Sequence, residues 1–86
     1  MKLTGRVTVA GEVASGATVE LHNSEGLVVD QVVVDDKGIY TYHLTPATWS
    51  LREWDAHGHG GRAEATLTDA DQTLDIELTS EGARQP

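Results

Sequence analysis

Apolar and polar residues alternate with a period of two along most of this chain, and that pattern admits little besides β structure. Leu3, Val7 and Val9 alternate with Lys2, Thr4, Arg6 and Thr8; Ala17, Val19 and Leu21 with Thr18, Glu20 and His22. The same holds for Tyr40, Tyr42 and Leu44, for Ala63, Ala65 and Leu67, and for Leu74, Ile76 and Leu78. Successive strand residues point to opposite faces, so each run predicts a strand with one buried and one wet face. Turn residues separate the runs about every ten positions: Ala10-Gly11, Ser15-Gly16, Asn23 to Gly26, Asp35 to Gly38, Thr45-Pro46, Ala56 to Gly61 and Thr68 to Gln72. Gly26 and Gly38 stand where a hairpin loop ends in a left-handed residue. Seven short strands at this spacing predict an all-β sandwich. No helical apolar spacing competes with it.

Two segments depart from clean alternation. Leu27 to Val34 reads L-V-V-D-Q-V-V-V. It predicts either a strand buried on both faces or a bulge near Asp30-Gln31. In Trp49-Ser50-Leu51-Arg52-Glu53-Trp54, the period places Trp49 and Leu51 inward. Trp54 then points outward, where it can meet a sugar or a partner, unless a bulge at Glu53 tucks it inside.

The chain has 86 residues, 14 acids, 6 lysines and arginines, a net charge of −8 and no cysteine. The size predicts one domain, residues 1–79, followed by a flexible tail over 80–86. A chain this short buries ~60–65% of its unfolded surface, so its stability margin is thin. Without cysteine, a disulfide scaffold, a thiolate metal site and a cysteine nucleophile are excluded. The acidity argues against nucleic acid, which requires clustered bases. No apolar run reaches the ~20 residues of a membrane-spanning helix. With Met1 in place, no secretory leader pattern and no cysteine, the expectation is a complete cytoplasmic protein.

A succession of motifs carries a resemblance over about residues 3–52. Leu3-Thr4-Gly5-Arg6-Val7 opens the chain, followed by Gly16-Ala17-Thr18-Val19-Glu20-Leu21 and Ser24-Glu25-Gly26. Asp36-Lys37-Gly38-Ile39-Tyr40-Thr41-Tyr42 and Pro46-Ala47-Thr48-Trp49-Ser50-Leu51-Arg52 complete it. The succession resembles the carboxypeptidase regulatory-like domains, which are transthyretin-like (prealbumin-like). Within that group it is most similar to a short stand-alone actinobacterial family of unknown function, often encoded beside thiosulfate sulfurtransferases. The resemblance implies a seven-strand transthyretin-like, Ig-like sandwich. The family's cysteine near the N-terminus is missing here, and Ala47-Thr48 replaces its turn glycine. Hydroxyisourate-hydrolysing relatives of the fold end in Tyr-Arg-Gly-Ser; this chain ends Ser80-Glu81-Gly82-Ala83-Arg84-Gln85-Pro86.

Candidate chemistry is sparse. Tyr40, Tyr42, Trp49 and Leu51 are expected to form the core, with a ligand groove as the rival reading of the three rings. His57-Gly58-His59 can present two imidazoles to zinc, nickel or copper, with Asp55, His22 or His43 as a third ligand. The alternative is a solvated hairpin loop. His22 and His43 fall on outward faces. The acids Asp30, Asp35, Asp36, Asp69 and Asp71 lack the calcium-loop spacing. No serine sits in a nucleophile elbow, and no phosphate-binding glycine loop is present. The expectation is therefore not an enzyme. It is an accessory or interaction module for a protein partner, such as the small subunit of a larger enzyme assembly, with homo-oligomerisation as another arrangement. The alternatives are a carbohydrate-binding module using Trp54 beside Arg52, or a metal carrier through His57 and His59 with no resident cofactor otherwise.

Overall fold

The computed structural model describes residues 1–82. The remaining four, at the end of the expected tail, lie outside the described residues. Among the described residues nine strands form two sheets: β1 (Lys2–Val9), β2 (Glu12–Val13), β3 (Thr18–His22), β4 (Val28–Val33), β5 (Ile39–His43), β6 (Ala47–Trp54), β7 (Gly60–Leu67), β8 (Gln72–Thr73) and β9 (Ile76–Leu78). The first sheet is organised around β1. β2 and β5 pair with it antiparallel, and β8 and β9 pair with it in parallel. The second sheet is antiparallel in the order β4-β3-β6-β7.

The count of nine corrects the expected seven, and both differences have physical causes. Ala10 and Gly11 both have positive φ (52° and 80°), so the chain reverses in two residues and β2 pairs at once with the end of β1. That is the geometry favoured by tight hairpins. The last expected strand is split by Leu74-Asp75. The Leu74 carbonyl turns inward, accepts the Tyr40 hydroxyl and lies against Gly5. A Cβ on Gly5 would sit 1.9 Å from that oxygen, so only glycine fits there.

The core lies between the sheets. Leu3, Val7, Tyr40, Tyr42, Ile76 and Leu78 come from the first; Val19, Leu21, Leu51, Ala65 and Leu67 come from the second. Burying each large aliphatic side chain contributes ~1.5–3 kcal/mol. The Tyr42 hydroxyl donates across the sandwich to the Val19 carbonyl at 2.9 Å, so its polar end is satisfied inside the core. Trp49 is only half-buried, packing against the core while its Nε1 donates to the Thr45 carbonyl at 3.0 Å.

The Leu27–Val34 run is not buried on both faces. β4 is the edge of its sheet and is almost wholly exposed; only Val32 is half-buried and Val34 buried. Its register steps from Leu21–Asp30 to His22–Val28, leaving Val29 as the bulged residue beside Asp30. Residues 80–82, the start of the expected tail, turn against β7. Thr79 and Gly60 exchange backbone hydrogen bonds at 2.9 Å, and the Gly82 amide donates to the Thr79 hydroxyl.

Candidate functional site

Strand β6 is the centre of the chemistry because its two faces carry unlike groups. It pairs with β7 in unbroken register from Ala47–Leu67 to Trp54–Gly60. There is no bulge at Glu53, so Glu53 takes the inward position that the period assigns it. Trp54 faces the opposite side from Trp49 and Leu51 and is half-buried there. Arg52 shares that outer face, with its guanidinium carbon 5.7 Å from the Trp54 ring centroid. Cation and ring attract one another in this geometry.

Glu53 is 1% exposed, and neither carboxylate oxygen has a hydrogen-bond partner among the described residues. A Cβ on Gly61, its cross-strand neighbour, would lie 3.3 Å from Oε1. Burial pushes the carboxyl up to about 8, since a low-dielectric surrounding disfavours the charged form. Near neutral pH the group is largely a neutral acid. Sequence reasoning missed it, although its parity with Trp49 and Leu51 was the signal.

The histidine hairpin follows β6. Asp55 Oδ1 accepts from the amides of His57 (2.9 Å) and His59 (2.8 Å), and Oδ2 meets His59 Nδ1 at 2.7 Å. Partial burial pulls the Asp55 carboxyl up. The two amides and the His59 ring outweigh it, so its pKa lies below the ordinary value. Gly58 completes the loop at φ 85°. Two other hairpins repeat this arrangement. Asn23 Oδ1 accepts from Glu25 and Leu27 with Gly26 at φ 82°, and Asp35 Oδ1 accepts from Lys37 and Ile39 with Gly38 at φ 77°. One turn design, an Asx side chain followed three residues later by a left-handed glycine, therefore builds three loops. Two of them hold no histidine, so Asp55 and Gly58 are explained by the turn itself.

The candidate metal ligands do not converge. His57 is exposed, His59 is held by Asp55, and His22 Nε2 is 2.7 Å from Glu20 Oε1. His43 lies opposite Lys2 in the other sheet. Among the described residues no three His, Cys, Asp or Glu side chains are grouped to hold a metal ion. A cleft of about 460 Å³ opens between this hairpin and the Glu12–Gly16 segment. Ser15 lines it, and among the described residues no hydroxyl is hydrogen-bonded to His59.

The edge β4 is the other unusual surface. Leu27, Val28, Val29 and Val33 are 58, 56, 49 and 64% exposed. They are four of the five large hydrophobics exposed among the described residues. The opposite edge, β7, alternates Arg62 and Glu64 with inward alanines, and its Gly60 end is closed by Thr79.

Residues 1–78 match the family described as a protein of unknown function (DUF1416). The chain belongs to that family. No curated protein matches the chain. Among solved structures it is similar to the Bacillus anthracis TIE protein, at 15% identity and TM-score 0.69 over 90% of this chain and 16% of that one. It is also similar to a DUF3823 family protein from Bacteroides ovatus, at 17% identity and TM-score 0.66 over 91% of this chain and 43% of that one. The DUF1416 chain thus spans less than half of either neighbour. At these identities the likeness establishes a shared β-sandwich fold alone.

Proposed function

We propose that this DUF1416 domain is a non-catalytic interaction module that receives an extended strand of a partner protein along β4. The observation that carries the reading is the combination of a sheet edge unpaired among the described residues with four exposed apolar side chains on or beside it. An edge strand offers a row of free backbone donors and acceptors, and side chains beside it supply specificity. Exposed apolar edges are usually blunted by lysine or proline; β4 holds neither, and its one charge is Asp30.

Charge indicates the occupant. Glu25 precedes the strand, Asp30 lies within it, and Asp35 and Asp36 follow it. A second copy would bring one −8 surface against another. A partner strand that alternates apolar residues with lysine or arginine meets both the valines and the acids. The likeness to transthyretin-like regulatory domains, and to a family encoded beside sulfurtransferases, supports a partner that is the larger subunit of an enzyme. With no cysteine on this chain, any sulfur chemistry would belong to that subunit.

The test is the native mass of the tagged protein eluted from its own cells, compared with a Val29→Asp/Val33→Asp variant. The expected result is a stoichiometric second polypeptide with the native chain, lost from a variant that keeps its melting temperature. A 9.2 kDa monomer, a homo-oligomer, or a partner retained by the variant would overturn the proposal.

A further inference from the structure

The open side of β4 is not uniformly open. In an antiparallel pair, successive residues turn their backbone groups alternately toward the partner strand and away from it. The Val34 amide donates to the Ala17 carbonyl at 2.9 Å, and the register carries that pattern to Val32 opposite Val19 and Asp30 opposite Leu21. Gln31 and Val33 therefore turn their amides and carbonyls to the open side. The Gln31 amide is already taken there: it donates to Asp30 Oδ1 at 2.8 Å. Directly opposed residues share a face, so Asp30 is on the core-facing side with Leu21 and Val32, while Gln31 and Val33 are on the outer side. A charge on the inward face of an edge strand is one of the devices by which sheets resist edge-to-edge pairing.

We infer that Asp30 selects which strand β4 accepts. The inference rests on the reading of β4 as a strand-receiving edge and adds the rule by which it discriminates. The Asp30 carboxylate competes with any incoming carbonyl for the Gln31 amide. An uncharged strand must displace that carboxylate and leave it unpaired at the new seam. A strand with lysine or arginine directly opposite Asp30 draws the carboxylate into a cross-strand ion pair and frees the amide. Alternation then fixes the remainder of the partner: its cation on the core-facing side, and its apolar residues on the outer side beside Val33. Val28–Val33 holds no lysine or arginine, so a second copy of β4 does not meet the requirement.

The test is calorimetric titration of the intact protein with two short peptides, one alternating valine with lysine and one alternating valine with threonine. The native chain should prefer the lysine peptide. Asp30→Ala should narrow that preference by about tenfold or more, chiefly by binding the threonine peptide more tightly, with an unchanged melting temperature. Asp36→Asn, which removes the same charge from the loop after β4, should keep the preference. Val33→Asp should weaken both peptides, because it places a charge on the outer side of the same edge. Equal binding of the two peptides by the native chain, an unaltered preference in Asp30→Ala, or an equal narrowing in Asp36→Asn would overturn the inference and leave β4 as the receiving edge. No binding of either peptide, or full binding by Val33→Asp, would overturn both.

Discussion

Replacing Glu53 should remove a pH dependence that a single buried carboxyl imposes on the whole fold. The group rises from an ordinary 4.5 to about 8 on folding because it is buried, with no hydrogen-bond partner among the described residues. The folded state therefore holds its proton more tightly than the unfolded chain. This contribution is fully present below the unfolded value, declines as pH rises from about 4.5 to about 8, and is flat above that. At ~1.4 kcal/mol per pH unit, the full loss is on the order of 5 kcal/mol, of which roughly two thirds has occurred by pH 7. Whole-domain stabilities are ~5–15 kcal/mol, so the effect decides whether the chain stays folded under alkaline conditions. The assay is urea unfolding followed by tryptophan fluorescence from pH 5 to 9, on the native chain and on Glu53→Gln and Glu53→Leu. The native chain should lose several kcal/mol more than either variant across that range. Parallel stability curves would refute the reasoning, because they would mean that Glu53 is ionised or solvated in the native state.

Four further outcomes follow from the backbone and its turns. Ala10→Asn should stabilise the fold by about 1 kcal/mol, because asparagine tolerates the left-handed φ of 52° better than alanine does; a rise in melting temperature checks it. Gly5→Ala should destabilise by about 3 kcal/mol or more, since its Cβ would overlap the Leu74 carbonyl; thermal unfolding reads the loss. Asp55→Ala should cost about 1 kcal/mol through its lost amide hydrogen bonds. His57→Ala should cost close to nothing, and urea midpoints for the two variants compare them.

The strands and two of the turn glycines were legible because each is a local property. Period-two alternation places Leu3, Val19, Leu21, Tyr40 and Tyr42 inward without knowledge of their neighbours. Edge status is not local. A run rich in valine reads as a buried strand, and only the pairing order of the second sheet leaves β4 exposed. The break at Leu74 was hidden for a related reason: it is set by Gly5 and Tyr40, far away in sequence. Glu53 was legible in parity, but a carboxylate at an inward position reads more naturally as grounds for a bulge. The Asp55-to-Gly58 spacing repeats Asn23-to-Gly26 and Asp35-to-Gly38. The intervening histidine drew attention to metal chemistry and away from the turn that explains the loop.

The most direct measurement of the central claim is backbone hydrogen exchange of the domain, free and in the complex isolated from its own cells. In the free protein the outward amides of β4 should exchange quickly, as unpaired edge groups do. In the complex, protection should rise along Val28–Val33, where a partner strand would complete the sheet. Protection confined to β2, β5 or the histidine hairpin, with β4 unchanged, would contradict the account.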